Sequence, residues 1–457
     1  IIEELTNNPD IDGQICKQFI AEARCLRVMV YSWMVRRWGG VMLVDKLMTP
    51  SDEMLMSRST EEEMYRFMVN ELKLAISDLP STANKERFTK GAALTLLTRV
   101  SLEGGLYDET IAAGKQLFEG EEAANWSIDP EYRKMFGSFS YPETSPEIQF
   151  YFTQGDKKQY CENLLPMYVA GTLAPGRNIM GPAFNDKVDA WCANWPSHEL
   201  TEAYLAIDVE GDQTAKHYTE TAKWKNAPVK TASIMYSNRD KRLDATICYD
   251  GTTYFTSPIE MDTKGNCYWE NTQNHGFMTQ SGYMWRKYIY ELDGTDALPG
   301  YQILYDFRYI LFRLGEACLN YAEALGRKGE IDKAIRMMNM TRTQHGGLPA
   351  LPESSSEADF WKYYKIERRV ELALEGDRYF SVIRWAKVEN ATSVSEFNKR
   401  THCIIIDGDD DTFTLIDTSH GSSTGSDRVF SWPRRMYFPL PESELMSNPN
   451  LQQNNHW

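Results

Sequence analysis

Two carboxylates one helical turn apart, Glu371 and Glu375, come nearest to a catalytic pair in this 457-residue chain. Acid-base hydrolysis of a glycosidic bond needs two carboxyl groups roughly 5 to 9.5 Å apart, one of them held protonated. Arg368 and Arg378 stand within a turn of these carboxylates, with Glu367 beside them. A guanidinium neighbour keeps a carboxylate ionised, so the pattern favours structural ion pairs over a hydrolytic dyad. The same residue types recur at Arg313, Glu316, Asn320, Glu323 and Arg327, at three- and four-residue spacing. That spacing puts them on one helix face, with Leu314, Cys318, Tyr321 and Leu325 on another.

Other chemical signals are weaker. Gly421-Ser422-Ser423-Thr424-Gly425 has the G-x-S-x-G form, but a nucleophile elbow needs a strand before it and a helix after it, and this stretch is a polar loop. Asp407, Asp409 and Asp411 alternate around Gly408 without the downstream Glu and sixth-position Gly of a calcium loop, so a solvated acidic turn is expected. No H-E-x-x-H, P-loop or G-x-G-x-x-G occurs, and the seven His are scattered, which predicts no metal cluster and no nucleotide cofactor. The eight Cys form no C-x-x-C; Cys25 and Cys318 fall inside apolar helical patterns, so buried free thiols are expected rather than disulfides.

A net charge of -16 repels phosphate backbones and anionic lipid heads, which argues against nucleic acid and favours a neutral or cationic ligand. The chain holds 12 Trp and 25 Tyr. Trp191, Trp195, Trp269, Tyr283 and Trp285 gather in one loop-rich region, with Asn194, Asn271, Gln273 and Asn274 close by in sequence. Flat apolar rings bordered by amides suit a neutral carbohydrate. A strand through Tyr283 and Trp285 would put both on one face.

The elements that must position these groups are mostly helical. Apolar periodicity predicts helices over 15–38, from Ser59-Thr60 to Leu79-Pro80, over 89–102 and 108–118, and again over 308–326, 332–343 and 357–385. Two joints share one frame: Gly105-Leu106-Tyr107-Asp108 with Ile111, and Gly329-Glu330-Ile331-Asp332 with Ile335. Gly is expected to take the left-handed cap of the first helix and Asp to cap the second, as in a tetratricopeptide-like turn. Between them, 121–307 is irregular with one helix expected at 198–207, and 391–457 is a polar stretch ending in a Pro-rich tail. No segment approaches the roughly 20 apolar residues of a spanning helix. Ile1-Ile2-Glu3-Glu4-Leu5 reads as helix interior, so sequence is expected to precede Ile1.

The run Ile366-Glu367-Arg368-Arg369-Val370-Glu371-Leu372-Ala373-Leu374-Glu375-Gly376-Asp377-Arg378, with Ile383-Arg384-Trp385, resembles the signature of the SusD/RagB family of outer-membrane nutrient-binding lipoproteins. Further blocks agree in order: Glu22 to Arg27 with Gly39-Gly40-Val41, Arg87 to Ala93, Asp240-Lys241-Arg242-Leu243, Gly282-Tyr283 with Arg286-Lys287-Tyr288, Arg313 to Ala324, and the tail Phe438-Pro439-Leu440-Pro441 with Asn448 to Asn454. Val28 and Met42 depart from the family's usual Ala and Pro. The resemblance implies one mainly α domain over 1–457. It would have about four tetratricopeptide-like helix pairs in 1–120 and 308–390, a ligand-binding insert with short strands at 121–307, and a terminal strap at 391–457. It also implies a non-enzymatic glycan-binding protein, held to the outer membrane's outer face by a lipidated Cys ahead of Ile1. Its partner would be a SusC-like TonB-dependent transporter. Peptide capture and a helical glycoside hydrolase are the alternatives.

Overall fold

The computed structural model describes residues 1–6, 12–154, 192–255, 257–271, 279–293, 307–417 and 429–457. Its framework is a set of paired helices: α1 (Gly13–Trp38) with α2 (Glu61–Ile76), α3 (Lys90–Glu103) with α4 (Tyr107–Phe118), α5 (Leu314–Arg327) with α6 (Ile331–Gln344), and α7 (Glu357–Glu371) with α8 (Arg378–Val388). Successive pairs stack through α2 on α3, α4 and α3 on α5, and α6 and α5 on α7, so the apolar stripe of each pair is covered by the next. One continuous core results, running from Cys25 and Leu72 through Leu97 and Leu319 to Tyr364 and Trp385. Gly114 and Gly326 permit the closest approaches: a Cβ at either would overlap the ring of Tyr321 or of Phe360.

The two repeated joints have the same geometry. Gly105 and Gly329 sit at φ +69° and +79°. In the first, Leu106 N–H donates to Ser101 C=O and Gly105 N–H to Leu102 C=O; in the second, Glu330 N–H donates to Leu325 C=O and Gly329 N–H to Gly326 C=O. This is the Schellman pattern, and it needs the left-handed residue that Gly supplies at no steric cost. The Asp residues do not cap as expected. Leu106 and Glu330 occupy the N-cap positions without a side-chain bond. Asp108 lies inside the first turn, where its charge complements the helix dipole and pairs with Lys328 at 2.8 Å. Thr60 does cap α2, in a reciprocal box with Glu63.

Several expected boundaries move. The segment expected to open a helix at Arg308 is instead strand β2 (Phe307–Arg313), antiparallel to β1 (Ile148–Gln154), and helix begins only at Leu314. Its alternating Phe, Tyr, Ile and Phe cover two cores at once: Phe312 packs into the helical core, Phe307 and Ile310 into the insert. The helix expected over 357–385 breaks between Glu371 and Arg378, where Leu374 (φ +62°) and Gly376 (φ +75°) leave helical space. The helix expected over 198–207 stops at Ala203, and Ala206–Ile207 pairs with Ala215–Lys216. α2 ends at Ile76, short of Pro80. α1 keeps Ile15, Phe19, Leu26 and Val30 as an exposed apolar face.

The insert leaves the helices through β1 and returns through β2. It is built from short helices and two-stranded ribbons around Tyr204, Met235, Leu243, Ile247 and Tyr283. The hairpin Cys403–Ile406 with Phe413–Ile416, which falls within the expected strap, adds Ile404 and Ile406 to that cluster. The tail beyond it clamps the first helix pair: Asn448 Nδ2 donates to Met56 C=O at 2.9 Å, Asn454 Oδ1 accepts from Arg58 at 2.9 Å, and Phe438 N–H donates to Arg37 C=O at 2.7 Å. Among the described residues no helix is long and apolar enough to cross a membrane.

Candidate functional site

The residues with the strongest chemistry in the sequence meet where the insert joins the helices, and there they bind one another. Arg313, at the end of β2, donates through Nη1 to Glu147 Oε1 (2.9 Å) and to Glu371, and through Nε and Nη2 to Glu375 (2.8 and 2.7 Å). Arg242, on the insert helix Lys241–Thr246, reaches Glu371 Oε2 (2.7 Å), Glu367 Oε2 (2.9 Å) and Asp240 Oδ2 (2.7 Å). Lys287 Nζ donates to Glu375 Oε1 and to the Tyr132 hydroxyl, both at 2.7 Å. His345 places Nδ1 2.9 Å from Glu371 and Nε2 2.9 Å from Glu147. Each of these side chains but Glu375 is almost wholly buried.

The electrostatics follow from burial and pairing. Burial would raise the Glu371 carboxyl, but His345 and Arg313 overcome it and hold it well below the usual carboxylate range. Burial would lower the His345 imidazole, but Glu371 and Glu147 raise it to about 10, so both ring nitrogens carry protons at neutral pH. Burial pushes the Lys287 ammonium down to about 8. Both carboxylates of the 371/375 pair are chelated by Arg313, so the pair is taken up in ion pairing and neither oxygen set is left free for a substrate. The trio Glu147, His345 and Glu371 has metal-like spacing, within 4.8 Å, and each ring nitrogen of His345 stands against one of the two carboxylates.

The face of α5 behaves in the same way. Glu316 pairs with Arg99 of α3, Asn320 Oδ1 accepts from Arg368 of α7 at 2.8 Å, and Glu323 accepts from Arg384 and Trp385 of α8 at 2.7 and 3.0 Å. These are ties between helix pairs. Glu147, His345 and Lys287 were not legible as members of the network, because their partners stand up to 198 residues away. Asp240 to Leu243, Arg286-Lys287 and Glu367 to Glu375 supply most of it, and all three lie in the blocks that carried the family resemblance.

The aromatic candidates are more dispersed. Trp285 Nε1 donates to Asn194 Oδ1 at 3.3 Å, which joins two of them directly. Asn194 is exposed and the adjacent Trp195 half-buried. Trp285 is 7% exposed and pairs across a ribbon with Ile247. Trp269 and Asn271 share one turn of 3-10 helix; Trp269 is half-buried, and Asn271 donates its amide to Thr263 and Gly265 carbonyls, each at 3.0 Å, which shapes the loop. Tyr283 does not share a surface with Trp285 as expected. The strand is only Met284–Trp285, and the Tyr283 ring has no exposure, its hydroxyl 2.7 Å from His198 Nδ1 in the insert core. Trp191, Gln273, Asn274 and Gly421 to Gly425 lie outside the described residues. Of the eight cysteines, seven are described and all seven are buried, with Cys25, Cys192, Cys248, Cys267, Cys318 and Cys403 free thiols.

Residues 167–457 match the model of the SusD family, and residues 1–102 match a model described as starch-binding associating with outer membrane. A SusD-like protein of Bacteroides ovatus is 22% identical over 95% of this chain and 73% of its own length. A SusD-like protein of Formosa agariphila is 20% identical over 84% and 69%. Among solved structures, a SusD-like protein from Bacteroides fragilis superposes with a TM-score of 0.76 at 25% identity, covering 98% of this chain and 81% of that one. A SusD-like carbohydrate-binding protein from the same species gives 0.73 at 21% identity, over 99% and 83%. A laminarin-binding SusD-like protein gives 0.67 at 20%, over 100% and 82%. With a family model spanning well over half of its length and the helix-pair architecture in place, the chain belongs to the SusD/RagB family of outer-membrane glycan-binding proteins.

Proposed function

We propose that this protein captures an oligo- or polysaccharide at the cell surface and passes it, without cleaving it, to a SusC-like TonB-dependent transporter. Attachment would be through a lipidated Cys in sequence ahead of Ile1. The observation that carries the ligand class lies on the insert, where exposed Asn194 accepts the indole N–H of Trp285 and Trp195 and Trp269 are only half-buried. A ring face stacks on the apolar face of a pyranose while an amide bonds its hydroxyls, and neither interaction needs ligand charge. A laminarin-binding relative with this fold supports the same class. The large negative charge of the chain leaves neutral glycans unopposed.

Glycan-array binding followed by calorimetry tests the reading. Trp269→Ala and Trp195→Ala are each expected to weaken the best array ligand by about tenfold, the worth of one aromatic contact. Unchanged affinity in both variants removes this surface as the site. Peptides co-purifying with the protein in place of sugars would replace the ligand class, and release of shorter sugars on incubation would end the non-enzymatic reading.

A further inference from the structure

The last turns of α1 carry Trp33, Arg36 and Arg37, and three- and four-residue spacing puts both arginines on the side of Trp33. These residues line a cavity of about 310 Å³, with Tyr309 of β2 and Phe380 of α8 among its other walls. A volume of that order stands at the small end of ligand pockets. Trp33 and Tyr309 are only half-buried, and none of Trp195, Trp269 and Trp285 on the insert lines the cavity. Phe438 N–H of the strap donates to Arg37 C=O at 2.7 Å, so the end of α1 is fixed by a residue that is not part of the cavity.

The charges that line this cavity are matched but for one. Glu316 is held by Arg99 at 2.6 Å, Glu375 by Arg313 and Lys287 at 2.7 Å each, and Asp377 by Arg368 at 2.6 and 3.0 Å. Arg36 pairs with Glu103 at 2.9 Å and places its guanidinium 4.1 Å from the centre of the Phe380 ring. The Arg37 guanidinium lies over the same ring, at 5.7 Å. Among the described residues, its side chain bonds only within its own helix, from Nη1 to Trp33 C=O at 2.9 Å, and no carboxylate pairs with it. Burial and the neighbouring Arg36 charge push this guanidinium below its ordinary value, with no acid to offset them. A cation in the last turn complements the helix dipole, which accounts for the sign of Arg37. It does not use the fork: a guanidinium carries five N–H donors, and a single nitrogen is engaged here.

We propose that this cavity is a subsite for one acidic sugar residue, its carboxylate or sulfate group bound by Arg37 and its ring set against Trp33 and Tyr309. The inference rests on the glycan-binding reading and adds to it a charged residue within the ligand. A guanidinium meets an oxyanion through paired, charge-assisted bonds, stronger than those between neutral groups, and the aromatic walls suit the apolar face of the sugar that carries the anion. The lining carboxylates do not oppose this, because each already has its own cation. Nor does the net charge of -16 decide the matter, since at physiological salt charges beyond about 8 Å are largely screened and the cation in contact dominates.

Calorimetric titration of the full chain tests this with three probes: a tetrasaccharide containing glucuronate, its carboxyl-reduced neutral counterpart, and a sulfated form of that counterpart. One of the two acidic probes is expected to bind on the order of tenfold tighter than the neutral one, and which of them does so tells carboxylate from sulfate. The preference should shrink as NaCl is raised. Arg37→Gln is expected to weaken the preferred acidic probe on the order of 10- to 100-fold and to leave the neutral one unchanged. Arg37→Lys keeps the charge at the helix end and loses only the fork, so a several-fold loss for the acidic probe alone reads the same contact should Arg37→Gln fail to fold by circular dichroism. Equal affinity for acidic and neutral probes in the unmodified chain, or an acidic preference that survives both Arg37 variants, overturns the proposal. A preference abolished by Trp269→Ala and intact in Arg37→Gln places the acidic group on the insert and overturns it equally. Binding of the neutral probe without any acidic preference leaves the proposed function standing, so the two readings fail separately.

Discussion

At the junction of helices and insert, His345 has a carboxylate against each ring nitrogen and no contact with solvent. On the insert, His198 has the Tyr283 hydroxyl on one nitrogen and Glu202 Oε1 3.3 Å from the other. Both are buried imidazoles beside glutamates, and the difference lies in how completely the neighbours use their hydrogen-bonding capacity. Around Glu371 the groups saturate one another, which fixes how two halves of the molecule dock and leaves nothing to offer a ligand. Glu202 is partly exposed and Asn194 exposed, so neither is closed off by its partners as Glu371 is.

The largest break in this contrast should come from Arg313→Met. It strands Glu147, Glu371 and Glu375 without their shared guanidinium, and unfolding free energy should drop by about 3 to 5 kcal/mol in urea titrations. A drop under 1 kcal/mol would mean that the network is not what holds the junction. His345→Gln should cost about 1.5 to 3 kcal/mol near neutral pH, the worth of hydrogen bonds to charged groups. It should also remove a pH dependence. The folded-state pKa is raised from 6.5 to about 10, so the stabilisation from this group is complete below about 6.5 and is lost as pH rises through about 10. Lys287, lowered from 10.5 to about 8, acts in the opposite sense between those values, because its folded form binds the proton less tightly. The difference between wild-type and His345→Gln stabilities across that range isolates the histidine.

Gly114→Ala forces a methyl group against the Tyr321 ring and should cost about 1 to 3 kcal/mol, testing whether α4 and α5 are as closely packed as their glycine implies. The smallest stability effect is expected on the insert surface. Asn194→Ala should stay within about 0.5 kcal/mol of wild type in thermal melts, because the residue is exposed. Its glycan affinity should nevertheless fall several-fold, since it frees the Trp285 indole N–H from its partner. Loss of stability without loss of affinity would place Asn194 with the structural residues of the junction.

Local signals in the chain specify structure where they are strong. Thr60 with Glu63 marks a helix start, and Gly105 and Gly329 mark helix ends whose backbone bonds match atom for atom. They give way where tertiary contact outweighs propensity. Phe307–Arg313 has helical residues after it and apolar residues throughout, but its partner β1, some 150 residues earlier, makes it a strand. Leu374 is a good helix former left at positive φ within the break that ends α7, beside a Glu375 held by Arg313 and Lys287.

The candidate site divides along the same line. Residue type and spacing by themselves determined the two helical pairs joined at Gly105 and Gly329, the ion-pairing character of Glu371 and Glu375 and the family, since each depends on neighbours within a turn or on a pattern preserved in order along the chain. Only the tertiary structure could decide that Tyr283 is core while Asn194 touches Trp285, 91 residues away, and that His198 and His217 share a carboxylate. Irregular segments carry no periodicity from which to infer a face, so which of their side chains meet is set by how the chain folds back, and spacing along it holds no record of that.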